Sequence, residues 1–241
     1  MNSSQEPLTA SAFPYKGLLI VVLFITGVGG AFFISYGGIG WWEAWVLLAM
    51  WLVYFLLMLT VVRRINPGVV EERSHSLERF SQAWDRKIIG LYQIVSLSLY
   101  VIAGLDAGRF HWTVELTGGV PVWLKVVAGL VGFFAYLLPL WSVINNPFAS
   151  GTVRIQEERG HQVVVTGPYR YIRHPMYLGT VLYGITFPLF LESYLALIPG
   201  IIVIALFILR TALEDRFLLG NLPGYSEYAS QTRFRLFPGV W

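Results

Sequence analysis

The sequence predicts an all-α fold, a polytopic bundle of about six transmembrane helices in which the last two form a tight hairpin. Three observations support this prediction. Only 13% of the 241 residues are charged, about half the share that a soluble domain carries. Apolar runs of roughly the length that crosses a bilayer as a helix recur along the chain. Basic residues are concentrated in alternate connecting segments, as in multi-pass membrane proteins.

Four apolar runs predict four transmembrane helices in an N-terminal region, residues 1–144. The runs are Gly17–Gly37, Trp41–Val62, Ile88–Ala107 and Pro121–Ile144. Only Lys16 precedes the first run as a basic residue, and no small-residue cleavage site is evident. We therefore expect the first run to be a retained span and not a signal peptide.

The Arg63–Lys87 segment lies between the second and third runs. It mixes basic and acidic residues with Leu77, Phe80 and Trp84. This composition predicts a solvated loop with a short interfacial helix. The alternative is a lid over an entrance for lipid.

A C-terminal region, residues 145–241, contains the rest of the predicted bundle. A polar stretch, Asn145–Arg173, precedes two apolar runs, Met176–Leu191 and Tyr194–Leu209. Glu192 and Ser193 separate these runs, which predicts a tight helical hairpin; the alternative is one kinked segment. The tail, Thr211–Trp241, is polar and aromatic.

The distribution of basic residues predicts the orientation. With six spans, the Arg63–Lys87 loop, the 145–173 stretch and the tail lie on one side. Of the 17 Lys and Arg residues, only Arg109 and Lys125 fall on the other side. Because basic residues are retained on the cytoplasmic side, we expect both termini, and any pocket formed by the C-terminal region, to be cytoplasmic.

The composition excludes several kinds of site. The chain has no cysteine, so disulfides, thiolate nucleophiles and Cys-ligated zinc are excluded. The net charge is only +3, and no basic run resembles a nucleic-acid-binding surface. His161 and His174 have no third ligand at a familiar spacing for zinc. We therefore expect neither a metal nor a nucleic-acid partner.

The segment between His161 and Gly179 concentrates residues that can bind a ligand. It contains a short β-prone run at Val163–Val165, followed by the turn signal Thr166-Gly167-Pro168. Pro175 suits the first turn of a helix, whose free backbone N–H groups can receive an anion. Aromatic faces for a flat ring or a cation come from Tyr169, Tyr171 and Tyr177. The alternative interpretation is an ordinary interfacial belt of aromatic and basic residues.

Arg210 and Glu214 lie four residues apart after the last apolar run and so share a helix face. An ionisable pair at membrane depth suggests a functional site. Arg210 would bind an anionic group of a substrate, and Glu214 a positive or hydroxyl-bearing part of a cofactor. The alternative is an exposed ion pair that anchors the helix end.

These motifs resemble a known family. The order His161-x-x-Val164-x-x-Gly167-x-Tyr169, Arg173-His174-Pro175-x-Tyr177-x-Gly179, Arg210-x-x-x-Glu214 and Tyr225-x-x-Tyr228 resembles the isoprenylcysteine carboxyl methyltransferase family. It is also similar to the wider group that contains phospholipid N-methyltransferases. The resemblance covers roughly residues 145–241, and the first four runs match only in being hydrophobic.

The resemblance implies an S-adenosylmethionine-dependent methyltransferase without a soluble Rossmann domain. It implies that Arg210 faces the substrate and that Arg210 and Glu214 are the catalytic residues. The implied cofactor-binding residues are His161, Gln162, Val163, Val164, Tyr169, His174, Pro175, Met176, Tyr177 and Glu214. This chain departs from the family in having only Glu214 and Asp215 as acidic residues between the arginine and the Tyr225-x-x-Tyr228 motif. A family glutamine that precedes the first motif corresponds roughly to Arg154 or Gln156, and we leave it unassigned.

The acceptor implied by the resemblance is a lipidic or otherwise hydrophobic molecule that enters from the bilayer. An acceptor carboxylate needs no general base, whereas an ammonium acceptor, as in phospholipid N-methylation, needs one, with Glu214 or His174 as candidates. A sterol-type reductase that uses NADPH is a further alternative. It would need a basic cluster to bind the 2′-phosphate, and Arg170 and Arg173 leave this alternative open. A transporter or assembly factor would require polar residues within the first four runs, which have almost none.

Overall fold

The computed structural model describes residues 15–75 and 82–241 and contains no strand among them. Its helices are α1 (Tyr15–Tyr36), α2 (Trp42–Ile65), α3 (Pro67–Ser74), α4 (Ala83–Phe110), α5 (Trp112–Thr117), α6 (Val122–Asn145), α7 (Pro175–Phe190), α8 (Leu197–Asn221) and α9 (Tyr225–Gln231). The helices α2 and α4 each include a π-helical stretch, at Met58–Val62 and Leu105–Phe110. The predicted all-α class is confirmed.

Five helices, α1, α2, α4, α6 and α8, are long and apolar enough to cross a membrane. The chain is therefore described as a multi-pass membrane protein. The apolar helix α7 has 16 residues, fewer than the ~20 that a span usually needs. A sixth span remains a prediction.

The predicted runs and the helices differ mainly at their ends. α4 begins at Ala83 instead of Ile88, so Trp84 lies in a helix and not in the predicted loop. α8 continues to Asn221 instead of ending at Leu209. Charged residues marked the predicted start of α4 and the predicted end of α8. Both helices extend past these boundaries, because Lys, Arg and Glu are good helix formers.

Two further predictions fall in the connecting segments. The β-prone run Val163–Val165 is not a strand, because no neighbouring strand is present among the described residues to pair with it. Between α2 and α4, the helix α3 agrees with the expected short helix. Leu77 and Phe80 lie outside the described residues.

Polar contacts at one end of the bundle join the start of α2, the start of α6 and the connection between α7 and α8. Lys125 Nζ lies 3.0 Å from Glu43 and 2.5 Å from Glu192. At the same end, the buried Asp106 near the end of α4 accepts a hydrogen bond of 2.5 Å from Ser193. These contacts fix the start of α2, the end of α4, the start of α6 and the α7–α8 connection relative to one another.

The opposite end joins the other ends of the same helices. Asn66, which follows α2, donates to the carbonyl of Ile144 at the end of α6 (2.7 Å). Asp85 at the start of α4 pairs with Arg210 in the second half of α8 (2.8 Å). The helices α2, α4, α6 and α8 therefore all run between the same two ends.

α7 packs closely between α6 and α8 through glycines. A Cβ atom at Gly179 would lie 2.6 Å from the carbonyl oxygen of Ala135 in α6. A Cβ atom at Gly184 would lie 2.7 Å from that of Gly200 in α8. Small residues allow membrane helices to approach this closely. The packing fixes the distance between the start of α7 and the second half of α8.

Candidate functional site

A pocket lies where α7 begins and α8 ends, and it gathers every residue that the resemblance implied for the cofactor. The residues in question, all of which line this pocket, are His161, Gln162, Val163, Val164, Tyr169, His174, Pro175, Met176, Tyr177 and Glu214. Further lining residues are Asn146, Phe148, Arg154, Arg173, Leu218, Leu222, Tyr225 and Tyr228. The binding roles of these residues remain predictions.

One wall of the pocket is aromatic. His174 immediately precedes α7 and Tyr177 lies in its first turn, so their rings stack with centroids 5.5 Å apart and planes 9° apart. The Tyr177 hydroxyl donates a hydrogen bond to the Glu214 carboxylate. Burial raises the pKa of the nearby Tyr169 to about 12, so this phenol stays neutral. The wall thus offers flat faces beside one carboxylate.

His161 forms a neutral polar corner of the pocket. Its ring stacks on Phe148 at 4.6 Å, and its Nδ1 accepts a hydrogen bond of 3.3 Å from the backbone N–H of Gln156. Burial, together with the Arg154 and Arg159 guanidiniums, lowers the pKa of His161 to about 4. Because Nδ1 is an acceptor in a neutral ring, the proton lies on Nε2, which can donate to a ligand.

Asp215 is a buried centre that holds the pocket's elements together. It accepts hydrogen bonds from Tyr225 (2.9 Å) and from Arg235 Nε (2.8 Å). Its carboxylate also lies 3.2 Å from Arg173 Nη1 and 3.4 Å from His174 Nε2. The start of α7, the end of α8, the start of α9 and the tail are therefore fixed around one carboxylate.

Arg173 lines the pocket and carries one unsatisfied donor. Its Nη1 pairs with Asp215 and its Nη2 donates to the carbonyl of Arg233 (3.3 Å). Its Nε is buried and has no hydrogen-bond partner among the described residues. Burying an unpaired donor is costly, which makes this nitrogen a candidate contact for an anionic group of a ligand.

Arg210 does not line this pocket. It is 4% exposed, and its Nε donates to Asp85 Oδ1 at 2.8 Å while its Nη2 donates to the carbonyl of Gly151 at 3.0 Å. Its guanidinium lies 4.8 Å from the centre of the Tyr177 ring. Glu214 contacts Tyr177 instead of Arg210. The alternative of an exposed Arg210–Glu214 ion pair is therefore wrong.

Arg210 lines a second cavity, of about 330 Å³, between the helices. Its walls are mainly apolar and aromatic side chains from α1, α2, α4, α6, α7 and α8. Ser150, Met176 and Tyr177 line both this cavity and the first pocket. The two spaces therefore adjoin at Tyr177.

Asp85 carried no signal in the sequence, and Arg154 and Gln156 carried only an ambiguous one. Asp85 lies in the segment predicted to be a loop, and only its contact with Arg210 reveals its place. Gln156 is buried, donates to the carbonyl of Phe148 (2.8 Å) and does not line the pocket. Arg154 lines the pocket but is bound to Glu72 at 2.7 Å. Of the two residues considered for the family glutamine, Arg154 therefore lines the pocket and Gln156 does not.

Comparison with known proteins places the chain in a family. A family model described as the isoprenylcysteine carboxyl methyltransferase (ICMT) family matches residues 128–220. The chain is also similar to the cobalt-zinc-cadmium resistance protein CzcN of Cupriavidus metallidurans, with 30% identity over 175 residues, 70% of either chain. The chain belongs to the isoprenylcysteine carboxyl methyltransferase family. The matched stretch includes every predicted cofactor residue together with Arg210, so the family match coincides with the pocket.

Family membership confirms the predicted resemblance and supports a membrane methyltransferase. The expected absence of a metal stays a prediction. In the described parts of the chain, no group of three or more His, Cys, Asp or Glu side chains is arranged to hold a metal ion.

Proposed function

We propose that this protein is an S-adenosylmethionine-dependent membrane methyltransferase that methylates the carboxylate of a lipidic acceptor. The observation that carries this proposal is the junction of two unlike spaces at Tyr177. The first is lined by polar and aromatic groups, and the second is mainly apolar and lies between the helices. This arrangement suits a water-soluble cofactor meeting a hydrophobic acceptor.

The residues of the first pocket fit S-adenosylmethionine. The Arg173 Nε, buried without a partner among the described residues, would receive the carboxylate of the cofactor. Glu214 would attract its positive groups, and the stacked His174–Tyr177 pair would face the purine. His161 would donate from Nε2. When bound there, the cofactor supplies a methyl group attached to a positively charged sulfur.

The residues of the second cavity would hold and align the acceptor. The hydrogen bonds of Arg210 use Nε and Nη2, which leaves Nη1 available to a carboxylate oxygen. A carboxylate needs no proton removed before methylation, so no general base is required at this point. The packed aromatic walls would exclude water and restrict the acceptor to an aligned position, which is the main contribution that a methyl transfer requires.

The acceptor would enter from the bilayer and the cofactor from the cytoplasm. The pocket lies at the end of the bundle that receives the basic loops, and basic loops are retained in the cytoplasm. We propose on this basis that both termini are cytoplasmic and that α7 is the sixth span.

Calorimetry on the purified protein in detergent tests the cofactor assignment. S-adenosylmethionine or S-adenosylhomocysteine should bind, and Tyr177→Ala should weaken binding by about tenfold or more, because a ring face and a hydrogen bond to Glu214 are both lost. Tyr171→Ala is the matched control, since Tyr171 is 63% exposed and does not line the pocket.

A different nucleotide would contradict this assignment. Binding of NADPH without binding of S-adenosylmethionine would favour a sterol-type reductase. Transfer of labelled methyl groups from S-adenosylmethionine to a lipid extract in liposomes is the corresponding test of activity.

A further inference from the structure

Two arginines lie near the junction of the two spaces, and they differ in whether an acidic side chain neutralises their charge. Arg210 is paired with Asp85, whose side chain is fully buried, so this pair has no net charge. Arg73, near the end of α3, also lines the second cavity. Among the described residues, its Nη1 contacts only the carbonyl of Ala149 at 3.4 Å and Met176 Sδ at 3.8 Å. Arg73 forms no ion pair within residues 15–75 and 82–241.

The two arginines flank one short segment. Arg210 donates to the carbonyl of Gly151, and Arg73 donates to the carbonyl of Ala149. Ser150 lies between these residues and lines both spaces. Arg73 therefore lies at the same junction as Arg210, although it belongs to α3 and Arg210 belongs to α8.

From this arrangement we infer that Arg73 supplies the positive charge that binds the acceptor's carboxylate, an inference that rests on the proposed function. A carboxylate that leaves water for a site of low dielectric constant needs an uncompensated cation nearby. The Arg210–Asp85 pair cannot provide it, because a third charge would leave the group with a net negative charge. Arg73 can exchange two long, weak contacts for shorter charge-assisted hydrogen bonds.

The two arginines thus have different roles in binding the acceptor. Arg73 provides the net charge, and Arg210 provides one hydrogen bond and the shape of the cavity. Glu214 has the opposite sign and is hydrogen-bonded to Tyr177. The anionic acceptor and the cationic cofactor are thus held by opposite charges on the two sides of the junction, where the two spaces meet.

The test measures binding of an acid and its uncharged ester to the protein without cofactor. N-acetyl-S-farnesylcysteine is the acid, and its methyl ester is the matched probe. Arg73→Gln should weaken binding of the acid by about ten- to a hundredfold, the loss expected for one charge-assisted hydrogen bond, and should leave binding of the ester within about twofold. Arg73→Lys, which keeps the charge, should retain most of the preference for the acid.

Two controls keep the result specific to Arg73. Arg64→Gln removes an exposed arginine that lines neither space and should change neither affinity. Binding of S-adenosylhomocysteine should be unchanged in each Arg73 variant, which shows that the first pocket is intact. Equal effects on acid and ester, or an unchanged affinity of Arg73→Gln for the acid, would overturn the inference.

The outcomes also separate this inference from the proposed function. If the unaltered protein binds and methylates the acid, and Arg73→Gln binds it equally well, only the assignment of Arg73 fails. If the unaltered protein binds neither the acid nor S-adenosylhomocysteine, the proposed function fails and the inference fails with it.

Discussion

Asp85 and Arg210 form a buried ion pair between two residues that are far apart in the chain. Asp85 is fully buried and also accepts a hydrogen bond of 2.8 Å from the backbone N–H of Val153. Removing two charges from water is costly, and the cost is offset only where both partners are well hydrogen-bonded. The pair therefore links α4, α8 and the segment before the pocket, and each partner depends on the other.

Substituting one partner of this pair should destabilise the protein more than substituting both. We expect Asp85→Leu and Arg210→Met each to cost about 3–5 kcal/mol of stability, because each leaves one charge buried and unpaired. The double variant should recover most of this loss, since neither charge of the pair remains. Thermal unfolding in detergent measures all three variants against the unaltered protein.

The double variant also separates the structural and functional roles of Arg210. If Arg210 binds the acceptor, the stable double variant should bind S-adenosylhomocysteine normally and have no turnover. Full methyl transfer by that variant would show that Arg210 only stabilises the fold.

Local sequence patterns predicted one part of the site better than another. The residues from His161 to Tyr177 are close in sequence, so their density alone indicated a common pocket. Asp85 and Arg73 come from distant segments and have no spacing that relates them to Arg210. Only the packing of α4 and α3 against the C-terminal region brings them together.

Among the helices, α7 is the one whose packing determines the geometry of the site. It approaches α8 closely at Gly184 and Gly200, and its first turn supplies Tyr177 to the pocket. The apolar run predicted this helix within one residue at each end, but the sequence pattern did not indicate which glycines pack against a neighbour. Close packing at a glycine depends on which helices are neighbours in the fold, and the pattern of apolar residues does not contain this information.

A methyl group at the α7–α8 contact should therefore disturb the site at a distance. Gly200→Ala places a Cβ atom against the Gly184 carbonyl, and overpacking of this kind costs about 1–3 kcal/mol. We expect a lower unfolding temperature and weaker binding of S-adenosylhomocysteine, because α7 must move away from α8.

Gly90→Ala in α4 is the matched control. A Cβ atom there has no neighbour within 4 Å, and alanine is a better helix former than glycine. This variant should be as stable as the unaltered protein or slightly more so. An equal loss of stability in both variants would show that the close contact is not the cause.

The whole molecule has two chemically different ends. One end contains the Glu43–Lys125–Glu192 contacts, and the other contains the pocket and most of the basic residues. The sequence predicted this distribution of basic residues, because the charges of each loop can be counted without knowing how the helices pack. It could not establish the number of spans, since α7 is shorter than an ordinary span.

Because the chain has no cysteine, single cysteines can report the side of the membrane on which each end lies. Glu115→Cys in α5 and Glu227→Cys in α9 place exposed cysteines at the two ends of the bundle. In a bacterial host whose outer membrane admits the reagent, a membrane-impermeant maleimide should label the Glu115→Cys protein in intact cells. It should label the Glu227→Cys protein only after lysis, because the basic loops near α9 hold that end in the cytoplasm. Labelling of both proteins from the same side would contradict six spans, since the three crossings of α6, α7 and α8 between the two positions would place them on opposite faces.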